Sequence, residues 1–237
     1  SKRHNISCDF YKEGLFDRKF DMVLVQNAFA HNDNQLGLLR NIRPVMHDKS
    51  LLFVVTSHAD MLLNGEFDTV YHEHLSFYNI NSMNELCKSA GMHLVDVIKH
   101  SIHGNSYIFV ISKTFDNSGH IKQLIADEKT RGLYDVRLLQ QFRQNALDAV
   151  EKVRALYKTC KDTDIPFVGY SAPAKSTTFL NFAKITPDFI IDDTPLKQNT
   201  YSPGVSAPIC DSSAFEKINN YNAVCFVIFA WNFYDEI

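Results

Sequence analysis

Apolar residues along this chain fall into two kinds of run, and each predicts a different element. Asp21-Met-Val-Leu-Val-Gln26 and Leu51-Leu-Phe-Val-Val-Thr56 are short and continuous, the pattern of parallel strands covered on both faces. Between them the stretch from Asn34 to Val45 has helical spacing, which makes a β-α-β order. Met83 to Ala90 predicts a helix stopped by Gly91, and His93 to Lys99 with Ser106 to Ser112 predict a closing strand pair. From Ile121 to Lys161, apolar residues such as Leu138, Leu139, Phe142, Ala146, Val150, Val153 and Leu156 recur at the helix period and predict one long connector. The β-α-β order then resumes with Ile165 to Tyr170, a helix from Lys175 to Lys184, Phe189 to Ile191, a helix near Ser212 to Lys217, and Ala223 to Ala230. Thr114 to Gly119 is rich in turn formers, so the predicted division is residues 1–116 and residues 117–237, two α/β domains of which the second is entered through the long helix.

Composition narrows the class. With 237 residues, 45% hydrophobic and 12% aromatic, the chain can bury an ordinary core. A net charge of −3 without a basic run offers no field for nucleic acid or anionic lipid. No apolar run approaches the roughly 20 residues of a membrane span, and no secretory pattern opens the chain, so a cytoplasmic protein is expected. Five scattered cysteines, without CxxC spacing, read as reduced thiols.

The densest chemistry lies in Phe67-Asp-Thr-Val-Tyr-His-Glu-His-Leu-Ser-Phe-Tyr78. If Tyr71 to Leu75 is extended, His72 and His74 point to one side and Tyr71 and Glu73 to the other; a turn would lift that restriction. Two readings stand. In one, the imidazoles and carboxylate form a general acid/base cluster; in the other, the histidines satisfy backbone carbonyls in a polar loop. A zinc site is the weaker third reading, because HxH stands without HExxH or a cysteine pair.

A second candidate is Gly169-Tyr-Ser-Ala-Pro-Ala-Lys-Ser176, where a strand meets a helix. Amides at the helix start and the Lys175 charge suit a phosphate group, while the plain alternative is an ordinary turn with a surface lysine. The stretch is also one residue away from the Walker A pattern, with Ala174 in the place of the second glycine and Pro173 lacking an amide. A P-loop-like NTPase is therefore a rival reading.

These segments, taken in order with Gln26 to His31, His103-Gly-Asn-Ser106, Asp192 to Gln198, Tyr201 to Gly204 and Ala230-Trp-Asn232, resemble the motifs of the sugar C-methyltransferases. The resemblance runs over about 200 residues of the chain. It implies a partial class I methyltransferase (Rossmann-like) domain followed by a smaller Rossmann-like domain, and transfer of a methyl group from S-adenosyl-L-methionine (SAM) to a ring carbon of a nucleotide-linked keto-sugar. By the same resemblance His74 matches the base that makes the enolate, Glu73 and Tyr71 its neighbours, and His31 a further active-site histidine. Asn27 would face SAM. His103, Asn105, Ser171, Lys175 and Lys197 would hold the nucleotide-sugar. No metal is needed for this step, and zinc belongs to an amino-terminal module whose cysteines this chain lacks. The glycine-rich loop and ribose-binding acid of a SAM site belong before Asp21, so the SAM site is expected to be incomplete here. That expectation keeps a third reading open, a non-catalytic nucleotide-sugar-binding module. Ser171 and Asn199 replace family glycines, a departure that bears on loop geometry.

Overall fold

The computed structural model describes residues 8–9, 11–12, 14–100 and 106–234. They form two compact units. The first takes the described residues up to Ala59, Leu75 to His100 and Ser106 to Gly132; the second takes Asp60 to His74 and Leu133 to Tyr234. Among the described residues no helix is long and apolar enough to cross a membrane.

In the first unit β1 (Phe20–Gln26) pairs parallel with β2 (Met46–Thr56) through α1 (Gln35–Ile42), and β3 (His93–His100) and β4 (Ser106–Ser112) complete a four-stranded sheet ordered β1-β2-β4-β3. Only the β1–β2 pair is parallel; β4 runs antiparallel to both β2 and β3. Leu52, Val54, Phe109 and Ile111 pack with Leu39 of α1 and Met83 of α3 (Ile80–Ser89). The expected cover on both faces is not seen on β1, where Met22 is 58% and Leu24 63% exposed. An apolar run reports what its residues favour, and burial needs a neighbour as well.

Helix α3 begins at a capping box in which the Asn79 side chain accepts from Ser82 N–H and the Ser82 hydroxyl takes the Asn79 amide. Both oxygens of buried Glu128 also accept from Ile80 N–H at 3.0 Å, a carboxylate set at the positive end of the helix. Glu128 lies on α4 (Ser118–Thr130), so α4 is joined to the first unit. The single long helix expected after Ile121 is two, α4 and α5 (Val136–Asp162). Gly132 adopts a left-handed φ of +81° between them, and the Asp135 carboxylate accepts from Arg137 N–H to start α5. Along α5 the stripe that packs runs through Ala146, Val150, Val153, Tyr157 and Cys160, while Leu139 and Leu156 fall outside it and are exposed.

The second unit holds β5 (Phe167–Tyr170), α6 (Ala174–Ala183), β6 (Phe189–Ile191), β7 (Thr200–Tyr201), β8 (Pro208–Cys210) and β9 (Cys225–Ile228). Its sheet order is β7-β8-β6-β5-β9, parallel except for the β7–β8 pair. The parallel strands therefore step outward from β5 through β6 to β8, and the chain then returns to place β9 on the other side of β5. Such a reversal opens a crevice at the carboxyl ends of β5 and β9, the ordinary ligand position in open α/β sheets. Gly169 serves packing within this sheet: a Cβ there would lie 2.8 Å from the Phe229 ring and 2.9 Å from Ile190.

Ser171, immediately after β5, has φ +67°, and Asn199, before β7, has φ +62°. Both amides are committed, Ser171 N–H to Ile191 O at 2.7 Å and Asn199 N–H to Ile209 O at 2.9 Å. The backbone thus keeps the conformation that favours glycine although the side chains have changed. A non-glycine residue pays roughly 1–2 kcal/mol in this region, against about 0.5–1 kcal/mol of extra glycine entropy. Ser171→Gly should therefore raise stability by up to about 1 kcal/mol, and Ser171→Val should lower it by at least as much. Urea midpoints at constant slope test this; a stabilising valine would show that the left-handed turn is absent.

Candidate functional site

Residues 71–74 form a turn and not a strand. His74 N–H donates to Tyr71 O at 2.9 Å, which places His72 and Glu73 at the exposed corner and swings the Tyr71 and His74 rings together, centroids 4.1 Å apart. Tyr71 Oη lies 2.8 Å from His74 Nε2, and His74 Nδ1 lies 2.9 Å from Thr69 O. A carbonyl oxygen only accepts, so neutral His74 carries its proton on Nδ1 and offers the Nε2 lone pair, where the Tyr71 O–H donates. The atom that orients the imidazole is thus a backbone carbonyl. Glu73, expected to orient it, sits beside His72 at 3.8 Å; burial first, and then the Glu73 charge, raise the Tyr71 phenol above its ordinary value.

Thr69 O is presented by a tight 3-10 turn, Phe67–Thr69. Phe67 inserts between Phe179 and Phe182 of α6, with centroids 5.8 and 5.5 Å away. Asp68, buried, accepts from Trp231 Nε1–H at 2.8 Å, a contact spanning 163 residues of sequence. Lys175 Nζ sits 4.0 Å over the Trp231 ring and donates to Asn232 Oδ1 at 3.1 Å. Burial raises the Asp68 carboxyl, opposed by the Trp231 bond and the Lys175 charge. Burial likewise raises Glu66 and lowers Lys175, whose ammonium is favoured by Asp68 and Glu66. In each case desolvation is the larger influence. Beside this group a cavity of 390 Å³, walled by Phe67, Val153, Phe179, Phe229 and Trp231, reaches the end of β9 at the crevice between β5 and β9. Sequence spacing does not single out Asp68, Glu66 or Trp231, although Asp68 and Trp231 lie inside the segments Phe67 to Tyr78 and Ala230 to Asn232; their partnership depends on a contact between residues 163 apart.

Around Lys175 most of the loop amides are engaged. Ser171 N–H goes to Ile191 O, Ala172 N–H to Asp192 Oδ2, and Ser176 N–H to Pro173 O. Gly169 lies inside β5 and Pro173 caps α6, so only three residues connect strand and helix. That is too short and too committed to wrap a phosphate as a Walker loop does. Lys197 Nζ lies 3.1 Å from Asp192 Oδ2. Both lysines expected to meet the nucleotide-sugar therefore stand beside carboxylates.

In the first unit Asn27 follows β1 with φ +52°, its amide donating to Val55 O, and His31 ends the 3-10 turn Phe29–His31. Both are exposed at the carboxyl side of β1, the end at which open α/β sheets place ligands. His103 and Asn105 lie outside the described residues. Among the described residues no three His, Cys, Asp or Glu side chains converge as a metal site would require.

A family model described as the C-methyltransferase C-terminal domain matches residues 101–237. C-methyltransferase NovU of Streptomyces niveus is 26% identical over 224 residues, which cover 91% of this chain and 52% of NovU. The chain thus spans about half the length of that relative. Among solved structures, LepI in complex with SAM is 15% identical over 44% of this chain and 29% of its own, with a TM-score of 0.37. The mitomycin 7-O-methyltransferase MmcR is 16% identical over 41% and 30%, with a TM-score of 0.35.

Asp192, which follows β6, is a buried carboxylate beside the loop after β5. Burial alone would raise its carboxyl, but N–H bonds from Ala172 and Thr194 and the Lys197 contact outweigh it and hold the group below its ordinary value. A depressed carboxyl stabilises fully above its unfolded value of about 3.9, and that stabilisation is lost as pH falls through the lower folded value. Asp192→Asn should cost about 1–3 kcal/mol near neutral pH. The gap to the parent should narrow below about pH 3.9. Equilibrium unfolding at both conditions checks the sign; a gap that widens in acid would contradict it.

Proposed function

Since the chain belongs to the C-methyltransferase C-terminal domain family, we propose that it serves in SAM-dependent methylation of a ring carbon of a nucleotide-linked keto-sugar. The observation that carries this reading is the Tyr71–His74 pair, with one imidazole nitrogen tied to a carbonyl and the other presented as a lone pair under a phenol. Its ordered resemblance to the sugar C-methyltransferases supports the choice of acceptor.

A ketone becomes a carbon nucleophile when it loses an α-proton. His74 Nε2 takes that proton, the C–H electron pair becomes the enolate double bond, and the carbonyl π pair moves to oxygen. Substrate displaces the Tyr71 O–H from Nε2. Once Nε2 is protonated it no longer accepts, and the Tyr71 O–H turns to the enolate oxygen, where negative charge has developed. The rise in the Tyr71 value through burial and the Glu73 charge keeps the phenol protonated and able to donate. SAM, when bound, supplies the electrophilic methyl group; Asn27 is the proposed contact to SAM, and His31 a further active-site histidine. On the acceptor side Ser171, Lys175 and Lys197, with His103 and Asn105, are the proposed contacts. A diphosphate at either lysine has to compete with the carboxylates beside it, so the contribution of these lysines is set by exchange of one anion for another.

His74→Asn should lower turnover by about 10²–10⁴-fold, and Glu73→Gln by less, because the Thr69 carbonyl also orients the ring. The assay uses SAM with a dTDP-, UDP- or GDP-linked keto-sugar, and circular dichroism confirms folding. Near-normal turnover by folded His74→Asn rules out this base.

A further inference from the structure

Trp231 is bonded to the residue immediately before the one whose carbonyl orients His74. From that geometry we propose that Trp231 and Asp68 are positioning residues for His74, holding its proton on Nδ1 across 163 residues of sequence. The proposal rests on the reading of His74 as the base, though its test does not.

Thr69 O serves two donors, His74 Nδ1–H at 2.9 Å and Tyr71 N–H at 3.2 Å. Its direction is set by the Phe67–Thr69 turn, which closes on itself through Thr69 N–H and the Thr69 hydroxyl, both donated to Glu66 O, at 3.1 and 2.7 Å. Such a turn of three residues has too few internal bonds to fix its own orientation. Two outside contacts do so. Phe67 wedges against α6, and the Asp68 carboxylate receives the Trp231 indole N–H. Asp68 is 8% exposed, so water does not replace that donor without opening the turn.

Trp231 is itself held in place. The Lys175 ammonium lies over its ring, and the same ammonium donates to Asn232 in the same 3-10 turn, Trp231–Phe233. A cation over an indole face is the strongest pairing of its kind, and here burial shields it from solvent. The chain of contacts then runs from Lys175 to Trp231, to Asp68, to the Thr69 carbonyl and to the His74 ring. It accounts for the buried carboxylate, which takes a side-chain hydrogen bond from the indole with the Lys175 charge nearby, and for the place of the one tryptophan in the chain.

A free imidazole exchanges its proton between the two nitrogens, and one hydrogen bond to a fixed acceptor shifts that ratio by roughly tenfold. Nitrogen-15 spectra of the histidine side chains of the 237-residue chain, without SAM or acceptor, read the ratio for neutral His74, and His74→Asn assigns its signal among the ten histidines. The parent should show the Nδ1–H form in excess. Trp231→Phe keeps a ring under Lys175 and removes only the donor; it should bring the two forms to similar populations. Asp68→Ala should do the same, and Asp68→Asn, which retains an acceptor oxygen, should restore the Nδ1–H excess. Should Trp231→Phe fail to fold, the two Asp68 variants carry the comparison. An unchanged ratio in folded Trp231→Phe or Asp68→Ala overturns the proposal, as does a parent protonated on Nε2. Full turnover by His74→Asn would remove the base reading and leave this result standing, so the two failures are distinct.

Discussion

The seating of Phe67 against α6 is the contact on which the candidate site depends. Phe67 closes a cluster with Phe179 and Phe182, and each aromatic pair adds about 0.5–1.5 kcal/mol beyond the area it buries. Through it a segment from residues 60–74 becomes part of the second unit although it precedes the rest of that unit by some sixty residues. The polar groups that follow Phe67 are then placed at the crevice of the β5–β9 reversal, beside a cavity whose walls are mostly apolar. Without that insertion the His-rich segment would be a solvated loop, and its imidazoles would have no fixed partners.

Desolvation governs the charges gathered there. Asp68 and Glu66 are pushed toward their neutral forms and Lys175 toward its own, even though the lysine stands in the field of both acids. Removing ions from water outweighs their mutual attraction at this depth. Asp192 shows the opposite balance. It is buried as well, yet two backbone N–H groups and Lys197 satisfy the ionised form, and the carboxyl falls below its ordinary value. The same residue type therefore plays two electrostatic parts within one sheet end: desolvation prevails over the donors at Asp68, and the donors prevail over desolvation at Asp192.

Much of this protein was determined by its sequence alone. The β-α-β order in both halves, the helix ended by Gly91, and the antiparallel pair formed by β3 and β4 follow from periodicity and turn chemistry, which are local properties. The pattern of motifs was sufficient to indicate the family, but non-glycine residues at 171 and 199 left their loop geometry open, and the fold keeps both left-handed. Tertiary structure decided what depends on neighbours far along the chain. The connector broke at Gly132 because a left-handed residue and an Asp135 cap outweighed a helical stripe. His74 found its orienting partner in the Thr69 carbonyl, a group every residue carries and no sequence pattern marks, and Glu73 was turned to the corner. Asp68 and Trp231 met because a sheet order brought residues 163 apart within 2.8 Å, a distance fixed by packing and invisible to spacing.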